Sequence, residues 1–347
     1  MKKNLFISIL SVLSIITVLG FSGCSKSEKK AQDSKEVTVY TYDSFAGEWG
    51  PAAEIAQKFT EETGYTVNFV DCGDAVQAYT RALQEKDNAK ADVILGIDNI
   101  LASSAVESGL LEEYMPKDAD KIIPEEIKAE LGEGWYLTPF DYSHFAMIYD
   151  TESSVPCPSS LADLTSAVYE KKIILMDPRT STPGLGFLAW TVSEFGTGEE
   201  LENFWKELKP NVLTMTSGWS EGWGMFLEGE APLCISYTTS PAYNVEYEDE
   251  DRYAAVIFAE GHVQQVEGYG LIKNAPHKEA AEAFMDFMIS EAAQNALPLT
   301  QWMYPVNKNV VLPESYNKAA PVPEITLPTD SEAVESVLDK VISILGK

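Results

Sequence analysis

The stretch Asp177-Pro178-Arg179-Thr180-Ser181-Thr182-Pro183-Gly184-Leu185-Gly186 decides how this chain folds. It follows the apolar run Ile173–Met176 and precedes a helix-like segment at residues 187–190. A buried strand is therefore predicted to end in hydroxyls and glycines where a helix begins. Backbone N–H groups at a helix N-terminus, with hydroxyls beside them, form an anion site. The plainer interpretation is that Ser181 or Thr182 caps the helix, because both residue types are favoured N-caps. Taken alone, the segment favours the cap.

The chain before this stretch alternates predicted strands and helices. In chain order the predicted segments are a strand at 37–41, a helix from Pro51 to Gly64, a strand at 66–70, a helix at 76–83, a strand at 91–96 and a helix through 102–109. Pro51 suits the first position of a helix and Gly64 suits its stop. Alternating strands and helices predict a parallel sheet that is covered on both faces.

Polar or aromatic residues follow each predicted strand. In the first half they are Tyr42-Asp43-Ser44-Phe45, Asp71-Cys72-Gly73-Asp74 and Asp98-Asn99; in the second half they are Ser181-Thr182, Ser217-Gly218-Trp219-Ser220 and residues 237–243. In open α/β sheets, ligands bind beyond the carboxyl ends of strands. We therefore predict an α/β fold of two lobes, with a ligand cleft between two mostly parallel sheets.

The two sets of residues suit different parts of one ligand. Asp74 can accept hydrogen bonds from an amino group or offset a cation, and the rings of Tyr42, Trp219 and Tyr243 offer flat faces to a cationic or heteroaromatic ring. The hydroxyls of Ser181, Thr182, Thr238 and Thr239 suit phosphate oxygens. The predicted ligand is an aromatic, positively charged molecule with a hydroxyl or phosphate tail. The alternative for each aromatic residue is a place in the core or at the rim, and Asp98 could simply cap the helix that follows it.

The N-terminus has the pattern of an export signal. Lys2 and Lys3 precede an apolar run at 5–19, and Ser-Gly-Cys24 resembles the lipobox of a bacterial lipoprotein. We expect residues 1–23 to be a lipoprotein signal peptide, Cys24 to be acylated, and the polar residues 24–36 to form a flexible tether. The alternative is an ordinary signal peptide with a chance cysteine. The lipoprotein interpretation places the protein in the periplasm or at the cell surface, anchored to a membrane.

Composition excludes several classes of protein. The formal net charge of the 347 residues is −29, whereas nucleic-acid binding needs Lys and Arg to neutralise phosphates. The remaining cysteines, Cys72, Cys157 and Cys234, are odd in number and have no metal-ligand spacing with the three histidines. We therefore expect no nucleic acid, no metal and no cofactor, and a monomer.

Several segments together resemble the thiamine-binding proteins of bacterial ABC importers, which are type II periplasmic binding proteins. The segments that carry the resemblance are residues 40–45 with Trp49-Gly50-Pro51, residues 91–99, Pro139-Phe140-Asp141-Tyr142, residues 177–186, Gly218-Trp219-Ser220-Glu221, residues 236–243 and Trp302-Met303-Tyr304-Pro305. The resemblance implies a two-lobed protein that captures thiamine or its mono- or pyrophosphate and delivers it to an ABC permease.

The resemblance also implies a role for each matching residue. Asp74 would bind the aminopyrimidine with Tyr42 stacked near it, and Ala75 stands beside Asp74 where the family tends to have glycine. Tyr243 would lie against the thiazolium, and Trp302 would close part of the cleft. The residues expected at the hydroxyl or phosphate end are Ser181, Thr182, Trp219, Tyr237, Thr238, Thr239 and Ser240.

The resemblance implies a division of the chain as well. Residues 37–145 and 270–305 would form lobe 1, residues 146–269 would form lobe 2, and residues 306–347 would be a C-terminal helical segment packed on the lobes. Within the last segment, apolar spacing predicts a helix at 332–345. Hinge strands are expected near 142–150 and 266–272, and we expect binding to close the two lobes.

Two other functions remain open at this stage. A thiaminase-like enzyme would use Cys72 as its nucleophile, although Asp71 and Asp74 on either side should raise the pKa of that thiol. A binding protein for another cationic solute, such as a polyamine or ferric iron, is the second. Ferric-binding relatives use adjacent tyrosines, whereas Tyr237 and Tyr243 are separated and no Tyr-Tyr pair occurs.

Overall fold

A computed structural model of the chain describes residues 35–346. The predicted signal peptide, Cys24 and all but the last two residues of the predicted tether lie outside the described residues. No helix within 35–346 combines the length and apolar character that crossing a membrane requires.

Twelve strands are found within the described residues. They are β1 Glu36–Thr41, β2 Thr66–Asp71, β3 Val93–Asp98, β4 Leu111–Glu112, β5 Thr138–Asp150, β6 Ile173–Met176, β7 Val212–Thr216, β8 Leu233–Tyr237, β9 Tyr253–Val256, β10 His262–Ile272, β11 Tyr304–Pro305 and β12 Thr326–Leu327. The strands predicted at 37–41, 66–70, 91–96 and 173–176 are confirmed.

Fifteen α-helices accompany these strands in the same part of the chain. They are α1 Asp43–Ala46, α2 Ala52–Thr63, α3 Ala75–Gln84, α4 Ala102–Glu107, α5 Ala119–Ile122, α6 Glu125–Ala129, α7 Thr182–Phe195, α8 Glu199–Leu208, α9 Trp219–Leu227, α10 Pro241–Tyr247, α11 Lys278–Met288, α12 Glu291–Gln294, α13 Leu297–Thr300, α14 Glu314–Ala319 and α15 Ser331–Leu345. Helix α2 starts after Pro51 and ends at Gly64, which takes the left-handed conformation at φ 71°.

The strands form two α/β halves joined along one continuous path, in the order β2-β1-β3-β10-β5-β8-β6-β7. We call the half built on β1, β2 and β3 lobe 1, and the half built on β6, β7 and β8 lobe 2. Within each lobe these three strands are parallel, whereas β5 and β10 run antiparallel to their neighbours in this order. The predicted two-lobed α/β fold is confirmed.

The long strands β5 and β10 carry the chain between the lobes. His144 on β5 pairs with β10, and the next residue, Phe145, pairs with Tyr237 of β8. On β10, Val263 packs in the core of lobe 2, whereas Val266 and Tyr269 pack in the core of lobe 1. The expected hinge at 142–150 includes the first passage. The second passage lies at 264–265, earlier than the expected hinge at 266–272 and the expected lobe boundary at 269/270.

Each lobe has its own apolar core. The core of lobe 1 is centred on Phe45, Phe59, Phe140 and Phe284, and the core of lobe 2 includes Trp190 and Trp205. Burial of each such side chain contributes about 1.5–3 kcal/mol. Helix α15 adds three valines to the core of lobe 2, which confirms the helix predicted at 332–345. Two rigid cores joined by two strands suit a hinged closure.

The stretch at 177–186 forms the turn from β6 into α7. Ser181 occupies the N-cap position, but within the described residues its hydroxyl makes no hydrogen bond to the first turn. The predicted side-chain cap is therefore wrong. Two glycines allow the helix to begin so close to lobe 2's sheet. A Cβ at Gly184 would lie 2.4 Å from the carbonyl oxygen of Met176, and one at Gly186 would lie 2.1 Å from the ring of Phe145.

Candidate functional site

The carboxyl ends of the strands from both lobes face one cavity of about 300 Å³. Nine of the twelve ligand-binding residues expected from the sequence line it: Tyr42, Asp74, Ala75, Thr182, Trp219, Tyr237, Ser240, Tyr243 and Trp302. The cavity therefore lies where the sequence predicts the cleft, and it draws its walls from both halves of the molecule.

The other three expected residues, Ser181, Thr238 and Thr239, lie behind the cavity wall. The hydroxyls of Thr238 and Thr239 lie 3.3 and 3.1 Å from the hydroxyl of Ser143 on β5. The N–H group of Thr238 donates to His144. These contacts fasten the end of β8 to the linking strand. Ser181 is fully buried one residue before α7.

Asp74 joins the two lobes. It is the N-cap of α3, and its Oδ1 accepts hydrogen bonds from the N–H groups of Ala75 at 2.7 Å and Thr182 at 3.0 Å. Its Oδ2 accepts from the N–H group of Trp219 at 3.1 Å. Thr182 begins α7 and Trp219 begins α9, so a carboxylate of lobe 1 meets two helix N-termini of lobe 2, where a negative charge is favoured. The anion site at 177–186 is thus occupied by the protein's own carboxylate.

Burial and hydrogen bonding act in opposite directions on Asp74. Burial raises the pKa of Asp74 to about 6, and the N–H groups of Thr182 and Trp219, the hydroxyl of Ser181 and the N–H group of Ala75 oppose that rise. Asp74 is thus ionised at neutral pH with both oxygens engaged by donors of the protein. An amino group of a ligand would have to share these oxygens.

Aromatic rings form two faces of the cavity. Trp219 stacks on Trp223 with ring centroids 5.7 Å apart and an angle of 12° between the planes, and its Nε1 donates to the hydroxyl of Ser236 at 2.7 Å. On the other side, Tyr243 and Trp302 meet edge to face at 5.3 Å. Trp302 has a φ of 60°, which is rare for a bulky residue, and its N–H donates to the carbonyl of Leu297. The backbone conformation at Trp302 thus holds its ring against the ring of Tyr243.

Buried acids lie beside Tyr42. The hydroxyl of Tyr42 accepts from Nε2 of Gln301 at 2.5 Å and donates to Oε2 of Glu267 on β10 at 2.8 Å. Glu267 is the cross-strand partner of Asp141 on β5. Asp98 is also buried; its Oδ1 accepts from the N–H groups of Ile100 and Leu101 in the turn before α4. The N-cap of α4 is Leu101 and has no side-chain cap, so the alternative that Asp98 caps this helix is wrong.

Twelve residues that line the cavity were not among the expected ligand-binding residues; they include Trp49, Trp223, Gln265 and Glu267. Trp223 lies four residues after Trp219, so helical spacing could have put both rings on one face. Gln265 and Glu267 lie within a strand rather than after one, so the search at strand ends did not include them.

The ferric-iron alternative would need a cluster of metal-ligating side chains, and the enzyme alternative would need the Cys72 thiol in the cavity. Among residues 35–346, no group of three or more His, Cys, Asp or Glu side chains is arranged to hold a metal ion. Cys72 follows β2, and its thiol lies 3.5 Å from the Arg81 guanidinium and outside the cavity lining. Burial raises the pKa of Cys72, and Arg81 opposes that rise.

A hinged pair of lobes with a cleft at the strand ends is the architecture of a solute-binding protein. Residues 54–324 match the family of bacterial extracellular solute-binding proteins. The chain belongs to this family. A solute-binding role agrees with a cavity drawn from both lobes.

Relatives within this family are similar over most of their length. The thiamine-binding periplasmic protein of Escherichia coli is 41% identical over 286 residues, covering 81% of this chain and 84% of the relative. The thiamine-binding periplasmic protein of Brucella abortus is 39% identical over 301 residues, covering 86% and 87%. A solved periplasmic thiamin binding protein matches with a TM-score of 0.80 and 39% identity, over 89% of this chain and 95% of that one.

Proposed function

We propose that this protein captures thiamine, or its mono- or pyrophosphate, outside the cytoplasmic membrane and delivers it to the permease of an ABC importer. One observation carries the proposal. The cavity lining combines four tryptophans and three tyrosines with the carboxyls of Asp74 and Glu267, and none of its described residues is Lys, Arg or His. Flat aromatic faces and unbalanced negative charge suit a cationic heteroaromatic ring. Relatives of similar sequence are named for thiamine.

The tail of the ligand is assigned to the end of the cavity where α7 and α9 begin. The hydroxyl of Thr182 lines this end, and within residues 35–346 it is buried without a hydrogen-bond partner. Buried hydroxyls without partners are costly, so a ligand oxygen there would be favourable. Ser240 and Tyr237 line the same cavity. A phosphate at this end would also lie near the ionised Asp74, whose negative charge would oppose it.

The test is titration calorimetry of the purified protein with thiamine, its mono- and pyrophosphate, spermidine and ferric citrate. We expect tight binding of thiamine or its phosphates and weak binding of spermidine and ferric citrate. A protein that binds one of the last two tightly and thiamine weakly would contradict the proposal. Thiamine recovered intact after incubation with the protein and a nucleophile would exclude the thiaminase alternative; loss of thiamine that stops in Cys72→Ser would support it.

We further propose that the protein is a monomer anchored to the membrane through an acylated Cys24. The proposal rests on the charged start, the apolar run and the Ser-Gly-Cys24 sequence. In cells fed a labelled fatty acid, the protein should carry the label and sediment with membranes, whereas Cys24→Ser should carry no label. A Cys24→Ser variant that is labelled equally would contradict the assignment.

A further inference from the structure

The linking strand β10 contributes Gln265 and Glu267 to the cavity lining, and Asp141 on β5 lies next to Glu267 outside that lining. We call these three residues the acidic wall. Gln265 and Glu267 are two residues apart on β10, so their side chains project to one face, and both line the cavity. Asp141 is the cross-strand partner of Glu267. The exposed fractions are 4% for Glu267, 1% for Gln265 and 0% for Asp141.

This wall has more acceptors than donors. Within residues 35–346, the side-chain oxygen of Gln265 is buried without a hydrogen-bond donor. Apart from a proton shared with Glu267, neither carboxyl oxygen of Asp141 has a donor in the same part of the chain. Tyr42 donates one hydrogen bond to Glu267. Since an unpartnered buried acceptor is costly, the wall points to a donor or a positive charge that the ligand brings.

Within residues 35–346, the wall has no ion-pair partner. None of the ion pairs formed by the described residues includes Glu267, Asp141 or the nearby Asp98 and Asp74. Burial raises the pKa of Glu267 to about 8, and burial beside Glu267 raises the pKa of Asp141 well above its usual range. The two facing carboxyls therefore hold a shared proton at neutral pH, because a buried unpaired charge is unfavourable.

We propose that the acidic wall receives the cationic ring of the ligand, and that the Glu267–Asp141 pair releases its shared proton to solvent as that charge arrives. The inference rests on the proposed function and deepens it by naming the groups that meet the cation. The proton leaves the carboxyl pair for solvent and the positive ring takes its place, so the site has the same net charge before and after binding. Asp74, whose oxygens are taken by N–H groups of both lobes, closes the cleft.

A cation binds the ionised pair, so affinity for thiamine should rise with pH until the free pair has lost its proton, by at most about tenfold per pH unit for one proton. Other titratable groups contribute to the pKa of the wall: Asp98 from β3, Asp74 from α3, Tyr42 after β1 and Tyr237 from β8. Burial keeps both tyrosines neutral. Asp98 and Asp74 also lose protons as the pH rises, so only a Glu267 variant can assign the pH dependence of binding to the acidic wall.

The experiment is calorimetry of thiamine binding near neutral pH in buffers with different heats of ionisation. The wild-type protein should release up to about one proton per thiamine bound. Glu267→Gln should release less and bind about tenfold or more weakly, the scale of one charge-assisted bond. Glu246→Gln removes the same charge from an exposed position on α10 and should behave as the wild type. Thiochrome, a neutral oxidation product of thiamine, should bind without releasing a proton.

The results distinguish a failure of the proposed thiamine binding from a failure of the proposed role of the acidic wall. If the wild-type protein binds no thiamine, the proposed function fails. If it binds thiamine without proton release, and Glu267→Gln binds equally well, the acidic wall is wrong while the function stands. The measurement of proton release by the wild-type protein does not require any variant to fold. If Glu267→Gln unfolds, Asp141→Asn replaces it, because that variant should also reduce the release.

Discussion

Replacing Asp74 with asparagine is expected to weaken thiamine binding by about tenfold to a hundredfold. The Asp74 carboxylate accepts N–H groups from Thr182 and Trp219, and these bonds exist only while the two lobes meet. Hydrogen bonds to a charged group contribute about 1.5–3 kcal/mol, and 1.4 kcal/mol is a factor of ten in affinity. An asparagine amide would set its NH2 group against one of these donors. Burial raises the pKa of Asp74, so the cost of burying its charge offsets part of the stabilisation from these hydrogen bonds. We therefore expect a loss of affinity towards the lower end of the range.

The matched control is Asp71→Asn, three residues earlier. Asp71 is exposed, and its Oδ1 accepts from the N–H group of Gly73, a bond that the asparagine oxygen can keep. Both variants lose one negative charge, but only Asp74 reaches the other lobe. Calorimetry should give near wild-type affinity for the Asp71 variant. Equal affinities for both variants would contradict the bridging role.

A scattering measurement distinguishes closure from direct contact with the ligand. If Asp74 acts by holding the lobes together, the Asp74→Asn protein should have a larger radius of gyration than the wild type without ligand, and saturating thiamine should close it. A variant that binds weakly yet has the wild-type radius without ligand would favour direct contact. The two explanations therefore differ before any ligand is added.

The sequence predicts the fold and the place of the cleft because both depend on local patterns. Apolar runs end in polar residues at β1, β2, β6 and β8, and parallel strands bring such ends to one edge of a sheet. The partners of those residues depend on contacts between distant parts of the chain. Asp74 is separated from Thr182 by 108 positions and from Trp219 by 145. No local pattern indicates that the helix capped by the Asp74 side chain in lobe 1 would face two helix starts in lobe 2.

The acidic wall was missed for a different reason. Glu267 and Gln265 lie inside the linking strand β10, where alternation predicts only which side chains share a face. Their burial depends on the register with β5, which sets Glu267 opposite Asp141. Thr238 and Thr239 differ in the opposite way: hydroxyls at a strand end suit an anion, but in the structure these two lie outside the cavity lining and contact the hydroxyl of Ser143.

Replacing Gly184 with alanine is expected to destabilise the protein by about 1–3 kcal/mol and to weaken ligand binding. In an open helical position the same change would stabilise by up to about 1 kcal/mol, because glycine is a poor helix former. At this position, however, the new Cβ would lie 2.4 Å from the carbonyl oxygen of Met176 and 2.7 Å from its carbonyl carbon. Those atoms belong to the end of β6, so the start of α7 must move away, at the cost typical of overpacking.

The movement should reach the site because the displaced turn carries the N–H group of Thr182, which lies 3.0 Å from Asp74. Thermal unfolding should show a lower midpoint, and calorimetry should show weaker binding at a temperature where the variant is folded. Gly224→Ala on α9, where a Cβ meets nothing within 4 Å, is the stability control and should match or exceed the wild type. A Gly184→Ala protein as stable as that control would mean that the end of β6 can move to make room for the new Cβ. The glycine at 184 would then not be what sets the position of α7.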